Sequence, residues 1–145
     1  MDIKIINADS GPDPLYRNEV IARFLYEHLD EFGDDEGHIL KAIEYVFHPS
    51  KGGVVLISLE QMEISGAVVI NETGMGGYIP ENILVYIAVD KKYRGKGLGK
   101  ALMKKAIAAC KGDIALHVEP ENPARYLYEN LGFTNKYLEM RLKNK

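Results

Sequence analysis

The sequence is poor in several features that define whole classes of protein. A single cysteine, Cys110, stands among 145 residues, so an internal disulfide is excluded and a reducing compartment is favoured. No stretch approaches the roughly 20 apolar residues of a membrane-spanning helix, and the N-terminal MDIKIINADS lacks the long apolar segment of a signal peptide. The four histidines show no metal-ligand spacing. We therefore predict a cytoplasmic protein of bacterial type, with no metal and no membrane partner.

The net charge is small, but its distribution is uneven. The formal net charge of -3 at pH 7 makes the chain a poor candidate for wrapping a nucleic acid. Residues 1–50 carry four Lys and Arg against eleven Asp and Glu. Residues 91–105 contain no acid and carry seven bases: Lys91, Lys92, Arg94, Lys96, Lys100, Lys104 and Lys105. A local basic segment of this kind favours a phosphorylated small molecule as partner.

The pattern of apolar residues predicts an α/β fold in a single domain, residues 1–145. Alternating or continuous apolar runs predict strands in IKIINA, VVLISLE, EISGAVVIN, NILVYIAVD, IALHV and KYLEMRLK. Helical spacing of apolar residues predicts two helices between the first two strands, one in KALMKKAIAACK and one in ENPARYLYEN. The predicted order is β-α-α-β-β-β-α-β-α-β, on a mixed central sheet flanked by helices.

The stretch YRGKGLGK, residues 93–100, lies between a predicted strand and a predicted helix. It does not match a Walker A loop, because the upstream glycine and the final Ser or Thr are missing, and it does not match G-x-G-x-x-G. Arg94-x-x-Gly97-x-Gly99 before a helix brings main-chain N–H groups together without Cβ atoms in the way. A pyrophosphate suits this arrangement, with Lys96 and Lys100 as nearby cations. A tight strand-to-helix connection with solvated lysines is the alternative.

Two segments resemble signatures of the GNAT superfamily of N-acetyltransferases. ILVYIAVDKKYRGKGLGKALM resembles its acetyl-CoA signature, R/Q-x-x-G-x-G/A, and NPARYLYENLGF resembles a second signature of the same family. The resemblance implies a GNAT fold and transfer of an acetyl group from acetyl-CoA, as co-substrate, to a primary amine of a small molecule or peptide. The transfer would be direct, through a tetrahedral intermediate. A GNAT-fold protein that senses CoA or docks a partner without turnover is the alternative.

The resemblance also implies which residues hold the cofactor. The pyrophosphate would lie on the loop formed by Arg94, Gly95, Lys96, Gly97, Leu98, Gly99 and Lys100. The pantetheine arm would pair with the preceding strand at Ile87, Ala88 and Val89, and an N–H near Ile87 or Val89 would face the thioester oxygen. Asn122 would contact the CoA arm, although its spacing to Tyr128 is six residues where many relatives have seven.

Catalytic roles follow from the same resemblance. Tyr128 occupies the position of the family's general acid, which protonates the departing thiolate, while its neighbour Tyr126 is an alternative aromatic. Glu81 is the candidate base, because strand parity places it on the face of the position, Ile83, where some relatives have a glutamate. His117, Glu119 and water remain alternatives.

The acceptor side of the resembled family is formed partly by the first two helices. The junction between them is acidic, with Glu27, Asp30, Glu31, Asp34, Asp35 and Glu36. Such a rim predicts an amine-bearing acceptor, for example a polyamine, an aminoglycoside-like molecule or a peptide amine. A solvated junction that keeps the protein soluble is the alternative. Homodimers are common in this family, so a homodimer is also compatible with the resemblance.

Overall fold

The computed structural model describes residues 2–144. Its strands are β1 (Asp2–Ile6), β2 (Gly53–Glu60), β3 (Glu63–Glu72), β4 (Asn82–Val89) and β5 (Ile114–Leu116). Its α-helices are α1 (Asn18–His28), α2 (Glu36–Phe47), α3 (Leu98–Ala109) and α4 (Ala124–Asn130), with short 3-10 turns at Asp30–Phe32 and Lys91–Tyr93. The predicted α/β class and the predicted element order are confirmed up to α4.

The final predicted strand, KYLEMRLK, is wrong for the described part of the chain, because residues 133–144 form no strand. The apolar side chains there are exposed: Tyr137 79%, Leu138 84%, Met140 90% and Leu142 86%. Alternation predicts a strand only where a neighbouring strand can accept its hydrogen bonds. The edge strand β5 is only three residues long and offers little edge for pairing.

The five strands form one mixed sheet in the order β1-β2-β3-β4-β5. Neighbours are antiparallel from β1 to β4, and β5 runs parallel to β4. Helices α1 and α2 cover one face, where Ile57 and Val69 are buried, and α3 and α4 cover the other, where Leu56 and Val68 are buried. Both faces of the central strands are therefore apolar, which explains their nearly continuous hydrophobic runs.

Strand β4 has strand neighbours on both sides only over its first residues, and β5 separates from it near the middle. Leu84 and Tyr86 face consecutive β3 residues, Ile70 and Val69, so Val85 is an extra residue that forms a bulge. On its other side, β4 pairs with β5 only through residues 82–84. From the bulge onward, β3 is the only strand neighbour of β4 in the described chain, and the side toward β5 is open.

None of the helices between residues 2 and 144 combines the length and the apolar character needed to cross a lipid bilayer.

Candidate active site

The open side of β4 presents main-chain groups of Ile87 and Val89. The Asp90 N–H donates to the Ser65 carbonyl at 2.9 Å, so Ser65 and Asp90 form a hydrogen-bonded pair of the antiparallel ladder. Bonded and non-bonded pairs alternate along an antiparallel ladder, and the register continues from Gly66–Val89 to Val68–Ile87. Ala88 therefore turns its N–H and carbonyl toward β3, whereas Ile87 and Val89 turn theirs toward the open side. Of the three predicted arm-binding residues, two have main-chain groups in the cleft.

The loop after β4 carries a run of N–H groups without partners. Within residues 2–144, no protein oxygen accepts a hydrogen bond from the main-chain N–H of residues 95–100. The first N–H of this region that donates is Ala101, at 3.1 Å to the Gly97 carbonyl. These open donors surround the N-terminus of α3, where the helix dipole adds partial positive charge. The arrangement is suited to an anion such as a diphosphate.

Two of the loop glycines are required by backbone conformation. Gly95 and Gly97 both have φ of +80°, a left-handed conformation that costs other L-residues about 1–2 kcal/mol. A Cβ added to either would meet nothing within 4 Å, so the space beside them is free. Gly99 differs, because its Cβ would point at Leu127 and Val89, at 3.5 and 3.8 Å. The loop is therefore shaped by Gly95 and Gly97, while Gly99 packs against protein.

Arg94 lies on this loop but uses most of its donors within the protein. Its Nε donates to the Val89 carbonyl at 2.9 Å, its Nη1 to Asp30 Oδ2 at 3.0 Å and its Nη2 to the His28 carbonyl at 2.8 Å. Its main-chain N–H donates to Lys91 at 3.4 Å. Arg94 thus ties the loop to the end of α1 and to β4, and its contact with a diphosphate stays a prediction.

Lys96 and Lys100 lie on this loop, and their role as cations beside a diphosphate stays a prediction. Neither side chain forms a salt bridge with a carboxylate of residues 2–144. Lys91 and Lys92, by contrast, pair with Asp30 and Glu63 at 3.3 and 3.7 Å. Among the cations of residues 91–100, those without a carboxylate partner in the described chain are therefore Lys96 and Lys100, at the N-terminus of α3.

The structure separates the two candidate tyrosines of α4. Tyr126 is 73% exposed and Tyr128 only 7%. Tyr128 packs in the apolar cluster of α3 and α4 against which Ile87 and Val89 of β4 also pack. Its hydroxyl makes no hydrogen bond to any group in residues 2–144, and burial raises the pKa of Tyr128 to about 12. The phenol is thus protonated at neutral pH, and its ring lies on the sheet face covered by α3 and α4.

Asn122 caps α4. Its Oδ1 accepts a hydrogen bond from the Ala124 N–H at 2.9 Å, which satisfies one of the free donors at the start of the helix. Its side-chain amide is the group that remains for the predicted contact with a CoA arm.

Glu81 has a structural position, and its predicted catalytic role is not supported by the geometry. Its Oε1 accepts from the Asp113 N–H at 2.7 Å and its Oε2 from the Gly77 N–H at 3.2 Å. These hydrogen bonds lower the pKa of Glu81, chiefly the one from Asp113. At the rise of an extended strand, Glu81 lies about 20 Å from Ile87, whose N–H faces the cleft. The Glu81 carboxylate thus links the loops that contain Gly77 and Asp113, at the end of β4 that is far from Ile87.

Replacing Glu81 with glutamine is therefore expected to reduce stability and leave acetyl transfer unchanged. Because the folded state depresses this pKa, the carboxylate stabilises the protein above its unfolded pKa, and that contribution disappears as pH falls through the folded value. The difference in melting temperature from wild type should be largest near neutral pH and vanish in acid. Glu44→Gln, on the exposed face of α2, is the control and should show no such pH dependence. A loss of turnover at unchanged stability would restore Glu81 as a base.

His117, an alternative base, directly follows Leu116, the last residue of β5 that pairs with β4. Its side chain is exposed at the point where the two strands separate. Glu119 is also exposed beyond the strand end. A role for either residue stays a prediction.

The structure adds a contact that the sequence did not suggest. The Tyr86 hydroxyl donates to Asp34 Oδ2 at 2.9 Å and thereby links the open segment of β4 to the acidic junction between α1 and α2. The only local signal was a single polar group in the apolar run ILVYIAV. The partners are 52 positions apart in the sequence, so spacing rules could not predict the pairing.

A family model described as an acetyltransferase (GNAT) domain matches residues 50–135, which is more than half of the chain. The chain belongs to the GNAT acetyltransferase family. The matched residues include the glycine loop, Asn122 and Tyr128, and they exclude α1 and α2, where the acidic junction lies. The GNAT match thus covers the predicted CoA side of the cleft but not the two helices of the predicted acceptor side.

Similarity to curated and solved proteins agrees with membership of the GNAT family. N-alpha-acetyltransferase 30 of Xenopus laevis is 51% identical over 55 residues, which cover 34% of this chain and 20% of that protein. The chain thus matches about a fifth of the relative's length. Among solved structures, a possible acetyltransferase from Clostridium difficile 630 aligns with a TM-score of 0.67 at 20% identity, covering 99% of this chain and 97% of that one.

Two further structures share the fold at low identity. An aminoglycoside N-acetyltransferase in complex with CoA aligns with a TM-score of 0.65 at 18% identity, over 99% of this chain and 94% of that chain. An aminoglycoside acetyltransferase from an uncultured soil metagenomic sample aligns with a TM-score of 0.67 at 18% identity, over 99% and 98%. At these identities the similarity concerns the fold.

Proposed function

We propose that this GNAT protein transfers the acetyl group of acetyl-CoA to a primary amine of a small molecule or peptide. One observation carries the proposal. An unpaired strand edge on β4 leads directly into open N–H groups at residues 95–100, at the N-terminus of α3. An extended pantetheine arm needs the first feature, and a diphosphate needs the second.

The residues present fit acetyl-CoA as a co-substrate. The main-chain N–H groups of residues 95–100 and the cations Lys96 and Lys100 would hold the diphosphate. Main-chain groups of Ile87 and the N–H of Val89 would pair with the arm, since the Val89 carbonyl is already bonded to Arg94. Gly95 and Gly97 leave the approach free of side-chain atoms.

The proposed reaction is a direct transfer between two substrates. The neutral amine nitrogen forms a bond to the thioester carbonyl carbon, and the carbon–sulfur bond breaks. An N–H of Ile87 or Val89 facing the carbonyl oxygen would stabilise its developing negative charge, by about 3 kcal/mol for a preorganised donor. The departing thiolate takes the Tyr128 proton, the nitrogen gives up its own proton to water, and solvent then returns a proton to Tyr128.

A role in binding CoA without turnover is a second candidate. The observation that favours it is the position of Glu81, about 20 Å along the strand from Ile87, which leaves the cleft without the base that the sequence predicted.

A ligand screen followed by an amine panel tests the proposal. CoA and acetyl-CoA should raise the melting temperature by several degrees, since a ligand at 100 times its Kd stabilises by about 2.7 kcal/mol. ATP should produce no comparable shift. Thiol release from acetyl-CoA is then measured with kanamycin, spermidine and a peptide with a free N-terminus. Binding without release across the panel would favour the second candidate, and a response to ATP alone would contradict both.

A further inference from the structure

The guanidinium of Arg94 connects the end of α1 to the open side of β4. At α1 it donates to the His28 carbonyl at 2.8 Å and to Asp30 Oδ2 at 3.0 Å. At β4 it donates to the Val89 carbonyl at 2.9 Å. The His28 carbonyl is among the last four of α1, which have no partner within the helix. One side chain therefore satisfies main-chain acceptors on two elements that are far apart in the sequence.

The Arg94 contact changes what the open side of β4 presents to a ligand. The N–H and the carbonyl of Val89 both face that side, and the Val89 side chain lies close to Gly99 at the start of α3. An uncovered carbonyl oxygen there would repel an anion on the neighbouring N–H groups of residues 95–100 and would lack a partner itself. With Arg94 bound to this oxygen, Val89 presents only its N–H to the proposed diphosphate site.

Asp30 is the charged partner of Arg94 at this junction. Its φ of +57° is left-handed, a conformation that is uncommon outside glycine and that aspartate adopts more readily than most residues. Its carboxylate accepts from Arg94 and lies 3.3 Å from Lys91 Nζ. Among the acids between α1 and α2 in the described chain, Asp30 is the one that pairs with cations of residues 91–94. Its charge is thus directed toward the segment that follows β4.

We propose that Asp30 is a positioning residue for coenzyme A. It holds the Arg94 side chain, and Arg94 covers the Val89 carbonyl and fixes the start of the loop that would bind the diphosphate. The inference rests on the proposed function and deepens it, because it assigns one acid of the predicted acceptor rim to the cofactor side. Asp30 contacts neither substrate in this role and acts through Arg94.

A double-mutant cycle on CoA binding, measured calorimetrically, tests the proposal. Asp30→Gly removes the carboxylate at no backbone cost, because glycine adopts the left-handed conformation freely. It should weaken CoA binding about threefold, as expected for a partly exposed ion pair. Arg94→Gln loses the ion pair and both carbonyl contacts and should weaken binding about tenfold. The double variant should match Arg94→Gln. Glu31→Gln removes an equal charge from an exposed neighbour and should leave the Kd for CoA nearly unchanged.

Steady-state kinetics add a readout that a general loss of stability would not produce. In Asp30→Gly, the KM for acetyl-CoA should rise about threefold, while kcat and the KM for the amine stay constant. We expect the fold to persist, because His28 Nε2, at 3.7 Å from Asp90 Oδ2, still connects α1 to the end of β4. Melting curves of each variant check this expectation.

Hydrogen exchange tests the same contact without any ligand. The N–H groups of Tyr93 and Arg94, just before the loop, donate to the carbonyls of Asp90 and Lys91 at 2.8 and 3.4 Å. If Asp30 holds this segment through Arg94, these N–H groups should exchange several times faster in Asp30→Gly than in wild type or Glu31→Gln. Equal exchange rates in the three proteins would contradict the proposal.

The outcomes distinguish the inference from the proposed function. An unchanged CoA Kd in Asp30→Gly, an equal loss in Glu31→Gln, or losses that add in the double variant overturn the inference, whether or not amines are acetylated. CoA binding that depends on Asp30 without any acetylation supports the inference and contradicts the proposed function. Acetylation with a CoA Kd independent of Asp30 leaves the function standing and removes Asp30 from it. A wild-type protein that binds no CoA contradicts both.

Discussion

Tyr128→Phe is expected to lower kcat for acetyl transfer about 100-fold or more while leaving the Kd for CoA nearly unchanged, as removal of a general acid does. The substitution removes one oxygen from a ring that is 7% exposed and packed edge-on against Phe133, with ring centroids 5.9 Å apart. Because the hydroxyl has no hydrogen-bond partner in residues 2–144, the fold loses no internal bond. Single-turnover rates and CoA titration measure the two effects separately.

The raised pKa of Tyr128 adds a pH signature to this expectation. With a pKa of about 12, the phenol keeps its proton across the range in which the enzyme can be assayed. Loss of the Tyr128 proton should therefore produce no decline of kcat on the alkaline side below about pH 10. An alkaline decline in wild type that disappears in Tyr128→Phe would contradict the raised pKa.

Tyr126→Phe is the matched control for Tyr128→Phe. It makes the same chemical change two residues away, on a side chain that is 73% exposed. We expect wild-type kcat. If both variants keep full activity, neither phenol donates the proton, and solvent must protonate the thiolate.

The parts of the fold that were predictable from sequence depend on local signals. The strand before the glycine loop, the helix after it and the left-handed glycines between them are all specified within residues 82–109. The family signature adds the requirement for glycine at the first position and tolerance of alanine at the second. The structure explains this difference by the positive φ of Gly97 and the ordinary contacts of Gly99.

The predictions that failed concern features that depend on contacts between residues far apart in the chain. Strand parity placed Glu81 on the face of Ile83, but Glu81 lies just before β4, and its carboxylate accepts hydrogen bonds from the N–H groups of Asp113 and Gly77. The bulge at Val85 was also not predicted: Leu84 packs with α3 and α4, whereas Tyr86 and Ala88 pack with α1 and α2. No short-range pattern reveals such a bulge. The internal partners of the Arg94 side chain, Asp30 and His28, were not predictable for the same reason, because they are more than 60 residues away.

Gly97→Ala is expected to weaken CoA binding about tenfold, which is the effect of a 1–2 kcal/mol cost at a left-handed residue. The added Cβ meets no protein atom within 4 Å, so the folded protein has room for it. The cost falls on the backbone, which relaxes by turning the N–H groups of the loop away from their common focus. The Cβ also occupies the free space through which we propose the diphosphate approaches. Calorimetric titration with CoA measures the change.

Gly99→Ala tests whether the loss of CoA binding is specific to the left-handed conformation at Gly97 or follows from any added side chain in the loop. Gly99 has a helical backbone, and its Cβ would face Leu127 and Val89 at ordinary contact distances. Alanine is favoured over glycine inside a helix by about 0.5–1 kcal/mol, so the variant should melt slightly higher and bind CoA with nearly wild-type affinity. Equal losses in both variants would mean that helix packing, and not the conformation at Gly97, controls binding. Unchanged affinity in both would place the diphosphate elsewhere, because the open N–H groups cannot hold it while their backbone is displaced.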